Sequence, residues 1–256
     1  MRQPRGQGRS RPGRYVPIVG IVKLSAWRQV AVASAVAVGL LAACSSAPPA
    51  PHTATLTADG NSAATLHVLT GTAVLTIGTA SFGAGGALLR ASTPADDPPP
   101  QLRTAGASAG AGTTAELSAK GASAVTVTLN AAVSWRLVLG GGTTRTVADL
   151  RGARVAGISF TAGADVIDLA LPRPRGSVPV QLAAGASQFL LSLPGGVQAR
   201  LTAAAGAGEV SLEGQDHVGV AGGSVFTTPG WAPGAASFDI DATAGAARVT
   251  VTARAG

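Results

Sequence analysis

In the second half of this chain, apolar side chains recur at every second position in short runs, and glycines separate the runs. Period-two alternation puts one set of side chains on each face of an extended backbone, the pattern of a strand buried on one side. The runs themselves repeat. Gly121, Gly142, Gly163, Gly185 and Gly206 lie 21, 21, 22 and 21 residues apart. Four, six and eight positions after most of these glycines stand apolar residues: Val125, Val127 and Leu129; Ile167, Leu169 and Leu171; Phe189, Leu191 and Leu193. Val210 and Leu212 continue the set after Gly206, and Gly245 reopens it with Val249 and Val251 behind an insertion around Asp216 to Ala236. Gly142 departs from it, keeping only Ala148 and Leu150.

A second run precedes each glycine, with apolar residues five and three positions before it. The pairs are Leu137/Leu139, Ile158/Phe160, Val180/Leu182 and, more weakly, Leu201/Ala203 and Ile240/Ala242. Each unit therefore reads as strand, glycine turn, strand, exit turn. The glycines are expected to supply positive φ at the turn, while Pro172 and Pro194 punctuate strand ends. One unit leaves its apolar stripe exposed and is stable only when stacked on its neighbours. The predicted fold is all-β: a short solenoid-like stack of two-strand repeats, with an antiparallel β-sandwich of the same spacing as the alternative. No segment has sustained helical periodicity with caps, so no helix is predicted.

Composition agrees with thin β-structure: charged residues make up 12% of the chain and aromatics 4%, with Ala, Gly, Thr, Ser and Val in their place. The net charge of +7 suggests nucleic acid until it is placed along the chain. Arg2, Arg5, Arg9, Arg11, Arg14, Lys23 and Arg28 carry the whole excess; from Cys44 onward there are 12 basic and 12 acidic side chains. A nucleic-acid partner needs a basic stripe, and the sequence after Cys44 shows none, so no nucleic acid is expected.

The basic residues precede an uncharged apolar run of 14 residues, Val30 to Ala43, which ends in Leu41-Ala42-Ala43-Cys44. A positive segment followed by a short apolar one is the layout of an export signal, and the run is short for a membrane span of about 20 residues. The last four residues resemble the lipobox of bacterial lipoproteins. That resemblance implies lipidation of Cys44 and cleavage before it, leaving a membrane anchor through lipid. The competing readings are an uncleaved anchor over Val16 to Ala43 and an ordinary buried cysteine. As the only cysteine it forms no intramolecular disulfide. The expected organisation is a leader over 1–43, a flexible tether over 44–55 and a β-repeat domain over 56–256, clearest over 115–256. Ser92–Pro100, with its four prolines, and low-complexity Ala105–Thr114 read as breaks within that domain.

The stretch from Leu129 to Val251 also resembles the adhesin-like β-repeat domains of envelope proteins called toastrack domains, reaching back less clearly to Leu66. The segments that carry the likeness are Val133-Ser134-Trp135, Leu139-Gly140-Gly141-Gly142, Asp149-Leu150-Arg151-Gly152, Leu171-Pro172-Arg173-Pro174, Gly185-Ala186-Ser187 and Thr228-Pro229-Gly230-Trp231. The resemblance implies a right-handed solenoid-like fold at the cell surface, and it supplies no catalytic residue to carry over.

Candidate chemistry is sparse. Gly106-Ala107-Ser108-Ala109-Gly110 has the letters of a nucleophile elbow, but that chemistry needs a strand, a strained turn and a helix, and no helix is predicted to follow. His52, His67 and His217 lack metal-ligand spacing and read as surface or structural. Asp165 and Asp168, and Asp239 and Asp241, suit a solvated strand face; the second pair is also a candidate weak cation site. Gly140-Gly141-Gly142-Thr143-Thr144 lacks the lysine of a phosphate loop and reads as a turn. No metal or cofactor is expected. Trp135 shares a face with Leu137 and Leu139 and is placed in the core. Trp231 lies in the insertion that escapes the repeat, where repeat proteins often carry a binding surface; it reads as a plug for the end of the stack or as a partner surface.

The function expected is a non-enzymatic, lipid-anchored surface module for interaction or envelope scaffolding, with an envelope protein or cell-wall polymer as partner. The alternatives are a sensory or regulatory module of an envelope-stress system and a cell-wall carbohydrate-binding protein. The second gains if Trp231 is exposed beside polar side chains. An enzyme is revived if His217 clusters with two acids in a cleft.

Overall fold

The computed structural model describes residues 49–83, 85–108 and 112–254; the leader, Cys44 and the lipobox lie outside them. Every regular element among the described residues is a strand. In chain order they are β1 (His52–Thr57), β2 (Ala63–Val68), β3 (Thr72–Ala80), β4 (Ala87–Thr93), β5 (Gln101–Ser108), β6 (Gly112–Ser118) and β7 (Ala124–Asn130). Then follow β8 (Ser134–Leu139), β9 (Thr143–Asp149), β10 (Arg154–Phe160), β11 (Ala164–Ala170), β12 (Ser177–Leu182) and β13 (Ala186–Pro194). The last six are β14 (Gln198–Ala203), β15 (Ala207–Leu212), β16 (Gln215–Val220), β17 (Ser224–Thr227), β18 (Ser237–Ala242) and β19 (Ala246–Arg254).

The strands form a ten-stranded and a nine-stranded sheet, and each coil sends one strand to each. Within the stack neighbouring strands are parallel: β10 pairs with β8 and β12, and β11 with β9 and β13. This is the stacked-coil solution, and it sets aside the antiparallel sandwich. Coils do not stack in chain order, however. The β18/β19 coil lies between β12/β13 and β14/β15, and the β2/β3 coil lies between β6/β7 and β8/β9. The chain twice skips one coil width and later, or earlier, fills the gap. At each end it then turns antiparallel: β4 flanks β7 and β1 flanks β4, β5 flanks β6, β16 flanks β15 and β17 flanks β14.

Register lines the apolar positions into continuous rows. One reads Ala115, Leu66, Leu137, Ile158, Val180, Ile240 and Leu201, every member 3% exposed or less. The facing row reads Val125, Leu75, Thr146, Ile167, Phe189, Val249 and Val210. Phe160 meets Phe189 edge-on across the two sheets, with centroids 6.0 Å apart. Thr146 explains why the Gly142 unit looked irregular. It occupies an apolar row, buried, and its hydroxyl is satisfied by Thr143 Oγ1 at 2.8 Å. Trp135 is fully buried, as expected, and its indole N–H donates to the Asn130 carbonyl at 2.9 Å.

The repeat glycines do two different jobs, and the expectation of positive φ holds only at the outer coils. Gly121 and Gly206 have φ of +84° and +86°. There the turn closes on itself, through Ala122 N–H to Ala119 C=O and Gly206 N–H to Ala203 C=O. The inner glycines Gly142, Gly163, Gly185 and Gly245 have ordinary φ. Their turns bond to the adjacent coil instead, as Ala164 N–H does to Gly185 C=O at 3.2 Å. A Cβ on Gly163 would stand 3.2 Å from that same carbonyl oxygen, so close approach of two backbones is the requirement.

Three boundaries also move. His52–Thr55, placed in the tether, belongs to edge strand β1 paired with β4. Ala105–Ser108 and Gly112–Thr114 belong to the antiparallel strands β5 and β6, because a low-complexity Gly/Ala/Thr run still pairs its backbone. Ser92 and Thr93 complete β4 before the proline loop, which Asp97 ties back: its carboxylate accepts from Ser123 Oγ at 2.7 Å and from Ser123 N–H at 2.8 Å. Among the described residues no helix is long and apolar enough to cross a membrane.

Candidate functional site

The insertion at 216–236 builds the C-terminal end of the stack. Its β16 and β17 are short antiparallel edge strands on opposite sheets, followed by a turn-rich loop through Gly230 and Gly234, both with positive φ. β16 is exposed along most of its length, and Val218 is 83% exposed. An edge strand of this kind presents backbone donors and acceptors with no neighbour on its outer side.

Two residues pin the loop. Thr228 is buried; its hydroxyl accepts from Ala199 N–H at 2.9 Å, while its own N–H donates to Ala199 C=O at 3.0 Å. Gln198 reaches across with both ends of its amide, donating to Gly230 C=O and accepting from Ala232 N–H. The clamp presents Trp231 half-buried, with the Arg200 guanidinium carbon 5.8 Å from its ring centre. Arg200 is itself held by Asp239 through two bonds of 2.9 and 3.0 Å, and that hydrogen-bonded carboxylate raises the guanidinium pKa. A cation over an indole face is attracted by the ring quadrupole.

Trp231 separates two concavities. One, about 460 Å³, is lined by Leu212, Glu213, His217, Phe226 and Thr227 with Trp231. The His217 and Phe226 rings, both in its lining, have centroids 4.8 Å apart. The other, about 300 Å³, has Arg200, Asp239, Ser177 and Pro233 around the same indole. Both are in or near the size range of small-ligand sites.

The remaining sequence candidates disperse. His217 shares its cavity with one carboxylate, Glu213, and not with two. His52 is on β1 beside the Ala95 carbonyl, and His67 on β2 in the opposite sheet. Asp239, one of the two carboxylates considered for a weak cation site, is paired with Arg200. Among the described residues no three His, Cys, Asp or Glu side chains converge on a metal position. Ser108 ends β5, and strand β6 follows where an elbow needs a helix. Sequence reasoning picked out Trp231 and missed Gln198, Arg200 and Phe226, whose roles depend on which coil stacks on which.

The fold defines a class: a two-sheet stack of parallel β-coils with antiparallel ends. No family model and no curated protein sequence matches the chain. Among solved structures it is similar to one described as "a putative cell adhesion protein from Clostridium sporogenes ATCC 15579". The TM-score is 0.55 at 17% identity, over 79% of this chain and 99% of that one. At that identity the likeness is one of fold.

Proposed function

We propose that this chain is a non-enzymatic, adhesin-like surface protein of toastrack type, held outside the membrane by lipid on Cys44. Its C-terminal end is the surface presented to an envelope partner. The observation that carries the reading is the combination at that end of an open edge strand, β16, with the clamped Trp231 and its cavity. Strand addition at such an edge supplies backbone hydrogen bonds, and a neighbouring aromatic pocket supplies selectivity. The anchor rests on the order basic segment, apolar run, Leu41-Ala42-Ala43-Cys44. The fold likeness to the clostridial protein, whose description is one of cell adhesion, is in keeping with a surface role.

A photo-crosslinking residue placed in cells at Val218 or Thr227 tests the surface. Both should capture a discrete partner while the same residue at Thr57, at the other end of the stack, should not. Equal capture from both ends, or none at Val218 and Thr227, overturns it. Replacing Cys44 with Ala should release the protein from membranes; retention would favour the uncleaved anchor.

A cell-wall carbohydrate partner is the second reading, favoured by the half-exposed indole beside Gln198, Arg200 and Asp239. Loss of glycan retention in Trp231→Ala, with the Val218 crosslink unchanged, would select it.

A further inference from the structure

A third concavity, remote in chain position from the C-terminal end, lies on the edge of the stack where coils turn from one sheet to the other. It has a volume of about 580 Å³ and lies between the β9–β10 turn and the β11–β12 turn. Four arginines line it, Arg151 from the first turn, Arg154 at the start of β10 and Arg173 and Arg175 from the second turn, and its lining includes no Asp or Glu. The 12 basic and 12 acidic side chains after Cys44 balance along the sequence, but stacking the coils brings these four together.

Their charge is only partly answered by the protein. Arg151 is bound by Asp149, its Nε donating to Oδ1 at 2.8 Å. The Arg173 guanidinium donates to the neutral Gly195 carbonyl at 3.0 Å. Arg154, Arg173 and Arg175 make no ion pair among the described residues. The support beneath them is stiff: Pro172, which is buried, and Pro174 bracket Arg173 and fix φ on either side. Guanidinium forks match carboxylate or phosphate oxygens two at a time.

We propose that this edge is a binding site for an acidic glycan, a polysaccharide strand bearing carboxylate or phosphate groups. The two turns belong to adjacent coils, about 4.8 Å apart, and both present guanidinium groups to the same concavity, as recognition of a chain of repeated charge requires. A nucleic acid is disfavoured because no aromatic side chain lines the concavity for a base to stack on. A lipid surface is disfavoured because the exposed large apolar residues, Leu69, Val74, Val218 and Val225, all lie elsewhere.

The test uses the full chain in neutral maltoside detergent, with fluorescent polygalacturonate as probe and uncharged dextran as reference. Binding to polygalacturonate should be saturable and should weaken with salt, and dextran should not bind. Arg154→Gln with Arg175→Gln should weaken it about tenfold or more, since each change removes charge-assisted hydrogen bonds to the anion. Both side chains are exposed, so the near-ultraviolet circular dichroism should stay unchanged. Arg103→Gln with Lys120→Gln removes the same net charge elsewhere and should leave binding intact. An equal loss in that control, binding no tighter than to dextran, or preferential binding to phosphatidylglycerol vesicles would each overturn the proposal. Trp231→Ala serves as the independent control for the C-terminal surface and should not affect this site.

Discussion

Replacing Ile240 with Ala tests the skipped-coil threading, because position along the chain and position in the stack disagree there. In sequence Ile240 belongs to the last repeat, where truncation should cost little. In the fold it is fully buried in β18, in register with Val180 on one side and Leu201 on the other. Three carbon groups are removed, worth about 2.4 kcal/mol at ~0.8 kcal/mol each. Val180 and Leu201 are held in their own rows by backbone ladders, so neither can collapse into the gap. A residual cavity raises the total to about 3–4 kcal/mol, inside the range measured for large-to-alanine core changes. The comparison is Leu56→Ala in edge strand β1, where the side chain is only half-buried; about 1 kcal/mol is expected for such a partly exposed truncation. Urea unfolding of the chain from Ser45 onward, followed by near-ultraviolet circular dichroism, measures both. For a domain of this size the Ile240 change should also lower Tm by roughly 6–15 °C. A loss at Ile240 no greater than that at Leu56, with an unchanged urea slope, would refute an interior position for β18.

Gly206 and Gly245, which occupy equivalent places in the repeat, should respond in opposite directions. Gly206→Ala forces a side chain into φ +86° and within 2.7 Å of the Val220 carbonyl oxygen, and should destabilise by more than about 1 kcal/mol in the same urea assay. Gly245→Ala meets nothing within 4 Å at ordinary φ and should be neutral or stabilising by up to about 1 kcal/mol. Thr146→Val, which completes the apolar row between Leu75 and Ile167 and returns the Thr143 hydroxyl to partial solvent, should change stability by less than about 1 kcal/mol. Asp97 is held below the ordinary carboxylate pKa, chiefly by the Ser123 hydroxyl; desolvation opposes this, and the Ser123 and Ala124 N–H groups each add a smaller lowering. A pKa lowered on folding contributes stability that is full above the unfolded value and is lost as pH falls through the folded one. Asp97→Asn should therefore flatten the acid limb of a Tm-against-pH curve below the usual carboxylate range and do little to its slope near neutrality.

Between Gly121 and Val251, outside the insertion, strand identity, the two-strand unit and the inward face of most strands were legible in the sequence, because burial on one face imposes alternation locally. Gly71 carries the same phase, with Leu66 and Val68 before it and Leu75 and Ile77 after it; the signal was present, and a 50-residue gap to Gly121 hid it. Thr146 was misread because a buried threonine counts as polar until its hydroxyl partner is known. The Trp231 surface was half legible: the break in the repeat marked the insertion, but the Gln198 clamp and the Arg200–Asp239 pair join residues 32 to 39 positions apart across β14 and β18.

By itself the sequence determined that the chain forms half-buried strands in repeating pairs, and that all its formal excess charge precedes Cys44. Only the tertiary structure decided the order of the coils, the two kinds of glycine turn and the gathering of four arginines on one edge. The physical reason is that every coil presents nearly the same apolar stripe. Local pattern is therefore satisfied by any stacking order, and the choice among orders falls to the antiparallel end strands and to side-chain pairs that exist only once the coils are in place.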